Sequence, residues 1–180
     1  MKPLLVVVTG PPASVKSSLA RDLARELGIP FLSKDELKER LFEELGSGDE
    51  LQAAIDRSAL AILYSVAESN LEAGISVLVE SNFDRDSDTS ALRELEGRIV
   101  QVHCGGDTDE LVRNFAERSA SGKRHPGHGD EPEDANDVRR KIESGFWDPL
   151  DLPGELIRVD PSRDGVDPKS IATRSVFSRD

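Results

Sequence analysis

A lysine and a serine stand side by side, a few residues after a glycine, in the stretch TGPPASVKSS. Gly10, Lys16 and Ser17 fit the pattern G-x-x-x-x-G-K-[ST], in which a glycine-rich turn presents backbone N–H groups to phosphates. The lysine adds a positive charge, and the hydroxyl group can hold Mg²⁺. The pattern therefore predicts polyphosphate binding by the loop residues Gly10, Pro11, Pro12, Ala13, Ser14, Val15, Lys16, Ser17 and Ser18.

One position departs from this pattern, because Val15 stands where a glycine is expected before the lysine. Glycine at such a place supplies a positive φ or allows the backbone to approach the phosphate closely. A β-branched residue at positive φ is a conformational outlier, and strain of the usual size would weaken nucleotide binding by about 1–3 kcal/mol. Such a loss is roughly tens-fold in affinity, so we expect Val15 to impair binding without necessarily abolishing it.

The elements around the loop are those that the pattern requires. The run Leu4–Val8 is continuously apolar and rich in β-branched residues, which indicates a strand covered on both faces. After the loop, apolar residues recur at helical spacing, and Gly28 provides the stop; they are Leu19, Ala20, Leu23, Ala24 and Leu27. The loop thus connects a buried strand to the start of a helix.

Similar apolar runs recur along the chain and alternate with helical patterns. Strands are predicted at IPFLS, ISVLVE, RIVQVHC and ELIRVD, with helices in the segments between them. This alternation predicts an α/β fold with a parallel sheet of about five strands and helices on both faces. We expect a single domain over residues 1–180, in which the segment of about 107–145 forms a small helical lid.

Composition limits the function classes. The chain has 180 residues and a formal net charge of -12, which argues against broad binding to nucleic acid or anionic membranes. No stretch approaches the roughly 18 apolar residues of a membrane span, and no signal peptide is evident, so a cytoplasmic location is expected. The single cysteine, Cys104, can form no internal disulfide. His125 and His128 lie near Asp130, but no further strong metal ligand is evident there.

Three stretches carry a resemblance to a known family: VVVTGPPASVKSSLARDLARELGIPFLSKDELKERLF, VLVESNF and RHPGH. They resemble the P-loop small-molecule kinases, which include the kinase domain of polynucleotide kinase, chloramphenicol phosphotransferase and gluconate kinase. The resemblance spans nearly the whole chain. It implies a P-loop NTPase fold, ATP and Mg²⁺ as cofactors with Ser17 at the metal, and a small molecule as phosphate acceptor.

The resemblance also implies roles for the helix that follows the second strand. Asp35 matches the aspartate that takes or orients the proton of the acceptor hydroxyl, and Lys38 matches a basic residue that contacts substrate or phosphate. On spacing alone, Asp35 has an alternative role in favouring the helix N-terminus, with Lys38 as its partner. Ser33 and Glu36 have the form of a capping box at the start of this helix.

Two further groups complete the expected site. Glu80 ends a buried strand at the edge where open α/β sheets bind ligands, and the resemblance implies an acidic residue near there that serves Mg²⁺ or the substrate. The candidates for the acceptor pocket follow it: Asn82, Phe83 and Arg85. Alternatively, these residues are only the end of a strand and the polar loop that follows it. Arginines of the lid can neutralise the charge that develops in phosphoryl transfer, and the candidates are Arg113, Arg118 and Arg124. We expect Arg118 and Arg124 to be catalytic, together with Lys16 and Asp35.

Three functions are open on this basis. The first is an ATP- and Mg²⁺-dependent kinase that phosphorylates a hydroxyl group of a small molecule. The second is a degenerate P-loop domain that binds a nucleotide or a phosphorylated ligand without turnover, which Val15 favours and the intact Lys16, Ser17 and Asp35 oppose. The third is a nucleic-acid 5′-end kinase, which the acidic charge and the lack of a basic, aromatic-rich stretch disfavour.

Overall fold

The computed structural model describes residues 2–46, 48–122, 125–128, 134–160, 163 and 167–177. The strands are β1 (Leu4–Thr9), β2 (Phe31–Ser33), β3 (Val77–Glu80), β4 (Arg98–Cys104) and β5 (Glu155–Val159). The helices are α1 (Lys16–Leu27), α2 (Lys34–Leu45), α3 (Asp49–Glu72), α4 (Asp88–Glu94), α5 (Thr108–Ala120), α6 (Ala135–Glu143) and α7 (Pro168–Phe177), with a 3₁₀ turn at Pro126–His128. None of these helices is long and apolar enough to cross a membrane.

The five strands form a parallel sheet in the order β2-β3-β1-β4-β5. β1 lies at the centre, and all six of its residues are buried, as its continuous apolar run predicts. Alternate side chains of β1 enter two cores: Val6 packs with α1 and α7, whereas Val7 packs with α3 and α4. The predicted α/β P-loop NTPase fold, with five parallel strands and helices on both faces, is therefore confirmed.

Parallel pairing brings several chemically active residues to the carboxyl edge of the sheet. Glu80 at the end of β3 pairs with Val8 of β1 on one side and with Ser33 of β2 on the other. The chain leaves β1 through Gly10 and enters the phosphate loop at this same edge. The edge where open α/β sheets bind ligands thus holds the loop and Glu80 side by side.

The first glycine of the loop is required by a close backbone approach. Gly10 has φ 144°, and a Cβ atom at this position would lie 2.1 Å from the carbonyl oxygen of Cys104. The thiol of Cys104 is itself fully buried, and burial raises its pKa to about 12. Cys104 is therefore an unreactive core residue whose backbone supports the loop.

Residues 107–145, called the lid segment here, contain α5, the 3₁₀ turn and α6. Phe115 of α5 and Val138 of α6 are buried together with Trp147, which follows α6. Ala13 of the phosphate loop packs against this small apolar cluster. The two lid helices therefore rest directly beside the loop.

Candidate active site

The loop between β1 and α1 has a left-handed backbone at two non-glycine residues. Val15 has φ 61° and ψ 10°, and Ala13 has φ 62°. Val15 thus adopts the conformation expected of the glycine that it replaces, at a cost of about 1–3 kcal/mol in backbone strain. Because Val15 is 57% exposed, burial of its side chain does little to offset this strain.

The start of α1 is open to an anion. The N-cap residue, Val15, makes no side-chain hydrogen bond, and the first turn contains no acidic residue. The first N–H groups of a helix lack intrahelical acceptors, and the helix dipole favours negative charge at this end. Ser14 adds a buried hydroxyl oxygen without a hydrogen-bond partner among the described residues. A bound phosphate would satisfy these groups.

Lys16 is buried beneath the loop although it carries a charge, with only 7% of its side chain exposed. Its Nζ atom lies 3.5 Å from the carbonyl oxygen of Pro11 and 3.8 Å from Oε1 of Glu80. Both distances exceed the roughly 2.7–2.9 Å of strong charge-assisted hydrogen bonds. The ammonium group therefore retains the capacity to donate strong hydrogen bonds to phosphate oxygens.

Glu80 lies at the centre of this buried polar network. Its Oε1 accepts a hydrogen bond from Ser17 at 3.2 Å, and its Oε2 accepts one from Ser33 at 2.8 Å. Burial raises the pKa of Glu80, although Lys16 and the two hydroxyl donors oppose this shift. Hydroxyl and carboxylate oxygens are ligands suited to Mg²⁺, so Ser17 and Glu80 fit a site for this ion. The predicted contact of Glu80 with the acceptor stays a prediction.

Ser33 corrects one expectation drawn from the sequence. It occupies the N-cap of α2 as predicted, but the predicted capping box is wrong because its side chain makes no capping hydrogen bond. The hydroxyl group donates to Glu80 instead. The pairing of β2 with β3 puts these two strand ends side by side, and aligning the predicted strand ends would have suggested this contact.

Lys38 contacts α3 rather than the loop. Lys34 and Lys38 each place Nζ 3.0 Å from a carboxylate oxygen of Asp56. Burial raises the pKa of Asp56, but Lys34 and Lys38 outweigh this effect and hold the pKa below its usual value. Lys38 therefore helps to join α2 to α3, and its contact with substrate stays a prediction. No pattern in the sequence singled out Asp56.

Asp35 lies at the edge of the buried network, on the side of α2 that faces the lid segment. Its side chain is 38% exposed, and its Oδ1 atom is 3.9 Å from Nδ1 of His128. The negative charge of Asp35 also contributes to the raised pKa of Glu80, so the two carboxylates are electrostatic neighbours. A partly exposed carboxylate beside the phosphate loop can accept a hydrogen bond from an incoming hydroxyl group.

The residues after β3 have separate environments. Asn82 has a buried Oδ1 atom without a hydrogen-bond partner among the described residues, and Arg85 is exposed, 4.0 Å from a carboxylate oxygen of Asp148. Both stay predictions as acceptor ligands. The expectation that Phe83 lines the acceptor pocket is wrong, because Phe83 is fully buried and stacks with Tyr64 in the core.

The lid arginines are only partly described. Arg118 lies in the last turn of α5, with its guanidinium 5.6 Å from the centre of the Phe115 ring. Arg113 is exposed on the same helix. Arg124 lies outside the described residues. The catalytic roles expected of Arg118 and Arg124 therefore stay predictions.

Val15→Gly is expected to tighten the binding of Mg²⁺–ATP by roughly tens-fold, because it removes a β-branched side chain where the loop backbone must approach the phosphates closely. The isopropyl group lost in this change lies at the wall of a cavity of about 150 Å³ between the loop and the start of α5. Isothermal titration calorimetry measures the effect. Ala13→Gly is the control, because it relieves the same kind of backbone strain at a position where the motif allows any residue. This variant should bind Mg²⁺–ATP like the parent. Equal affinities for Val15→Gly and the parent would mean that position 15 does not limit binding.

Comparison with known proteins agrees with this geometry. The model of a family described as an AAA domain matches residues 5–138. A protein of Chloroflexus aurantiacus J-10-fl, whose solved structure is described as that of a candidate kinase, is 35% identical, with a TM-score of 0.88 and 100% of both chains covered. A gluconokinase from Sinorhizobium meliloti 1021 is 20% identical over 97% of this chain and 92% of that chain, with a TM-score of 0.57, and shares the fold.

A more local similarity involves a cytidylate kinase of Ignicoccus hospitalis. It is 48% identical over 42 residues, which make up 23% of this chain and 24% of that kinase. The match therefore spans about a quarter of that relative's length. The match of the family model over residues 5–138, together with the full-length similarity to the Chloroflexus protein, shows that the chain is a P-loop kinase-like protein of the AAA domain family.

Proposed function

We propose that the protein is an ATP-dependent kinase that transfers a phosphoryl group to a hydroxyl group of a small molecule. The observation that carries this proposal is the cluster of the buried Lys16 and Glu80 with the hydroxyl group of Ser17, beneath an uncapped helix N-terminus and with the carboxylate of Asp35 at its edge. The full-length similarity to a protein described as a candidate kinase, and the fold shared with a gluconokinase, support it.

ATP is the phosphoryl donor in this proposal. Lys16 and the N–H groups of the loop would hold the β- and γ-phosphates, and Ser17 with Glu80 would hold Mg²⁺. Mg²⁺–ATP supplies the transferable group and the cation that offsets its charge. The loop fits this ligand because, among the described residues, the ammonium of Lys16 has only long contacts and the buried hydroxyl of Ser14 has no hydrogen-bond partner.

The chain's own residues divide the remaining work. Asp35 accepts the proton of the acceptor hydroxyl and orients its oxygen toward the phosphate loop. Arg118, together with Arg124, neutralises charge that develops on the transferred group. The acceptor itself is held by the polar side chains around Asp35, for which Lys38, Asn82 and Arg85 are the candidates.

A second candidate function is nucleotide binding without turnover. The observation that favours it is Val15 itself, a β-branched residue with φ 61° at the position where glycine lets the backbone approach a phosphate closely. The proximity of Lys16, Glu80 and Asp35 supports turnover instead. The two candidates predict binding alike and differ in transfer to an acceptor.

A screen for transfer separates the two candidates. The protein and its Val15→Gly form are incubated with Mg²⁺–ATP and a pool of small hydroxyl metabolites, and ADP formation and phosphorylated products are followed by mass spectrometry. We expect ADP formation that depends on the pool and a product heavier by one phosphoryl group. If both forms bind ATP but neither phosphorylates any compound, the kinase proposal fails and the binding function stands.

A further inference from the structure

The turn at residues 125–128, called the clamp turn here, belongs to the lid segment but lies on α2. The side chain of His128 is only 5% exposed. Its Nε2 atom is 2.8 Å from Oε1 of Glu39, and its Nδ1 atom is 3.9 Å from Oδ1 of Asp35. A single imidazole ring therefore faces carboxylates from two successive turns of α2.

Other contacts seat the same turn. The side-chain amide of Gln52, from α3, donates a hydrogen bond to the carbonyl oxygen of Gly127. The ring of His125 meets the ring of Phe42 edge to face at 5.5 Å, and its Nε2 atom is 3.7 Å from Oε1 of Glu43. A Cβ atom on Gly127 would lie 3.0 Å from Cβ of Phe42, so the turn packs against α2 as closely as glycine allows.

The face of α2 beneath the clamp turn is a row of carboxylates. Asp35, Glu39 and Glu43 recur at every fourth residue and lie on one side of the helix, where like charges repel. The clamp turn brings two imidazole rings to this row, and an imidazole N–H group donates to a carboxylate. The centres of the two imidazole rings lie 6.4 Å apart, so the rings reach Glu43 and Glu39 in successive turns of α2. In the part of the chain that the structure describes, no cluster of residues suited to a metal ion accompanies them.

We propose that His128 is a positioning residue for Asp35, and this proposal rests on the proposed role of Asp35 as the base. The hydrogen bond to Glu39 fixes the His128 ring, so that Nδ1 faces Asp35 at 3.9 Å and the ring limits the space open to its carboxylate. Asp35 is then held for the acceptor hydroxyl when the clamp turn is seated, because small errors in orientation are costly in a transfer reaction.

Imidazole nitrogen NMR tests the contact without ATP or acceptor. The chain has three histidines, so long-range ¹H–¹⁵N spectra contain few signals, which single His→Gln variants assign. We expect Asp35→Asn and Glu39→Gln each to shift the ring nitrogens of His128 and to leave those of His103, on β4, unchanged. If the His128 nitrogens respond to neither substitution, the contact does not form in solution and the proposal fails.

Kinetics with an acceptor from the metabolite screen test the positioning role. We expect His128→Ala to lower kcat by about tenfold to 100-fold while KM for Mg²⁺–ATP stays unchanged. His128→Gln keeps an amide donor for Glu39 and should recover part of the loss, and His103→Gln serves as the matched control with the parent's kcat. An unchanged kcat in His128→Ala, or equal losses in the Ala and Gln variants, overturns the proposal.

The two measurements distinguish the two possible failures. If the NMR contact is present but the protein transfers phosphate to no acceptor, the proposed function is refuted and the positioning role falls with it. If transfer occurs but His128 is indifferent to Asp35, the kinase stands and only the positioning role is refuted.

Discussion

Lys16→Ala is expected to remove most of the nucleotide affinity of the loop. Lys16 is the only residue between Gly10 and Ser18 with a full positive charge, and the contacts of its buried ammonium with the residues that the structure describes are long. Charge-assisted hydrogen bonds to phosphate contribute about 1.5–3 kcal/mol each, so losing two of them weakens binding by roughly 100-fold or more. Calorimetric titration with Mg²⁺–ATP, in the Val15→Gly background where binding is strongest, measures the loss.

The fold should survive this substitution. Without Lys16, the buried carboxyl of Glu80 loses a cation that opposes the rise in its pKa, so it takes up a proton more readily. Ser17 and Ser33 still hold this group by hydrogen bonds. Arg25→Ala, on the exposed side of the same helix, controls for the loss of one positive charge. A folded Lys16→Ala protein with the parent's ATP affinity would refute the phosphate loop as the nucleotide site.

The parts of the site that the sequence predicted are those determined by local structure. The strand Leu4–Thr9, the turn and the first helix follow each other directly, so an apolar run and a short motif suffice to place Lys16 and Ser17. The positive φ of Val15 is one of the two reasons for a glycine at this position that the motif left open. The prediction that ligands bind at the carboxyl edge of the sheet likewise follows from the alternation of strands and helices.

The parts that the sequence missed depend on contacts between distant elements. Glu39 and His128 are 89 residues apart, and only the docking of the clamp turn on α2 brings them together. The partner of Lys38 is Asp56, because the packing of α2 on α3 turns this lysine away from the loop. Phe83 follows β3 like a pocket residue but enters the core, since side-chain direction after a strand depends on the path of the loop. Periodicity within one element carries no information about such contacts.

Asp35→Asn is expected to lower the rate of phosphoryl transfer by about 10²–10⁴-fold and to leave Mg²⁺–ATP affinity near that of the parent. The carboxylate lies near Glu80 at the edge of the buried network, whereas Lys16 and Ser17 are the residues that we expect to hold the nucleotide. Asparagine keeps the shape of the side chain and loses the charge and basicity that activate an acceptor hydroxyl. The measurement is transfer to the acceptor found in the metabolite screen, with calorimetry for ATP affinity, both in the Val15→Gly background.

Glu36→Gln is the matched control, because Glu36 is the other acidic residue in the first turn of α2 and pairs with Arg21 at the surface. Both substitutions remove a negative charge from the same helix terminus, which costs at most about 1 kcal/mol of helix stability. If Asp35 only stabilised α2, the two variants would lose similar stability and neither would lose activity. A base at position 35 instead predicts that Asp35→Asn alone loses transfer. Transfer at the parent rate by Asp35→Asn would exclude Asp35 as the base, and with it the mechanism proposed for this site.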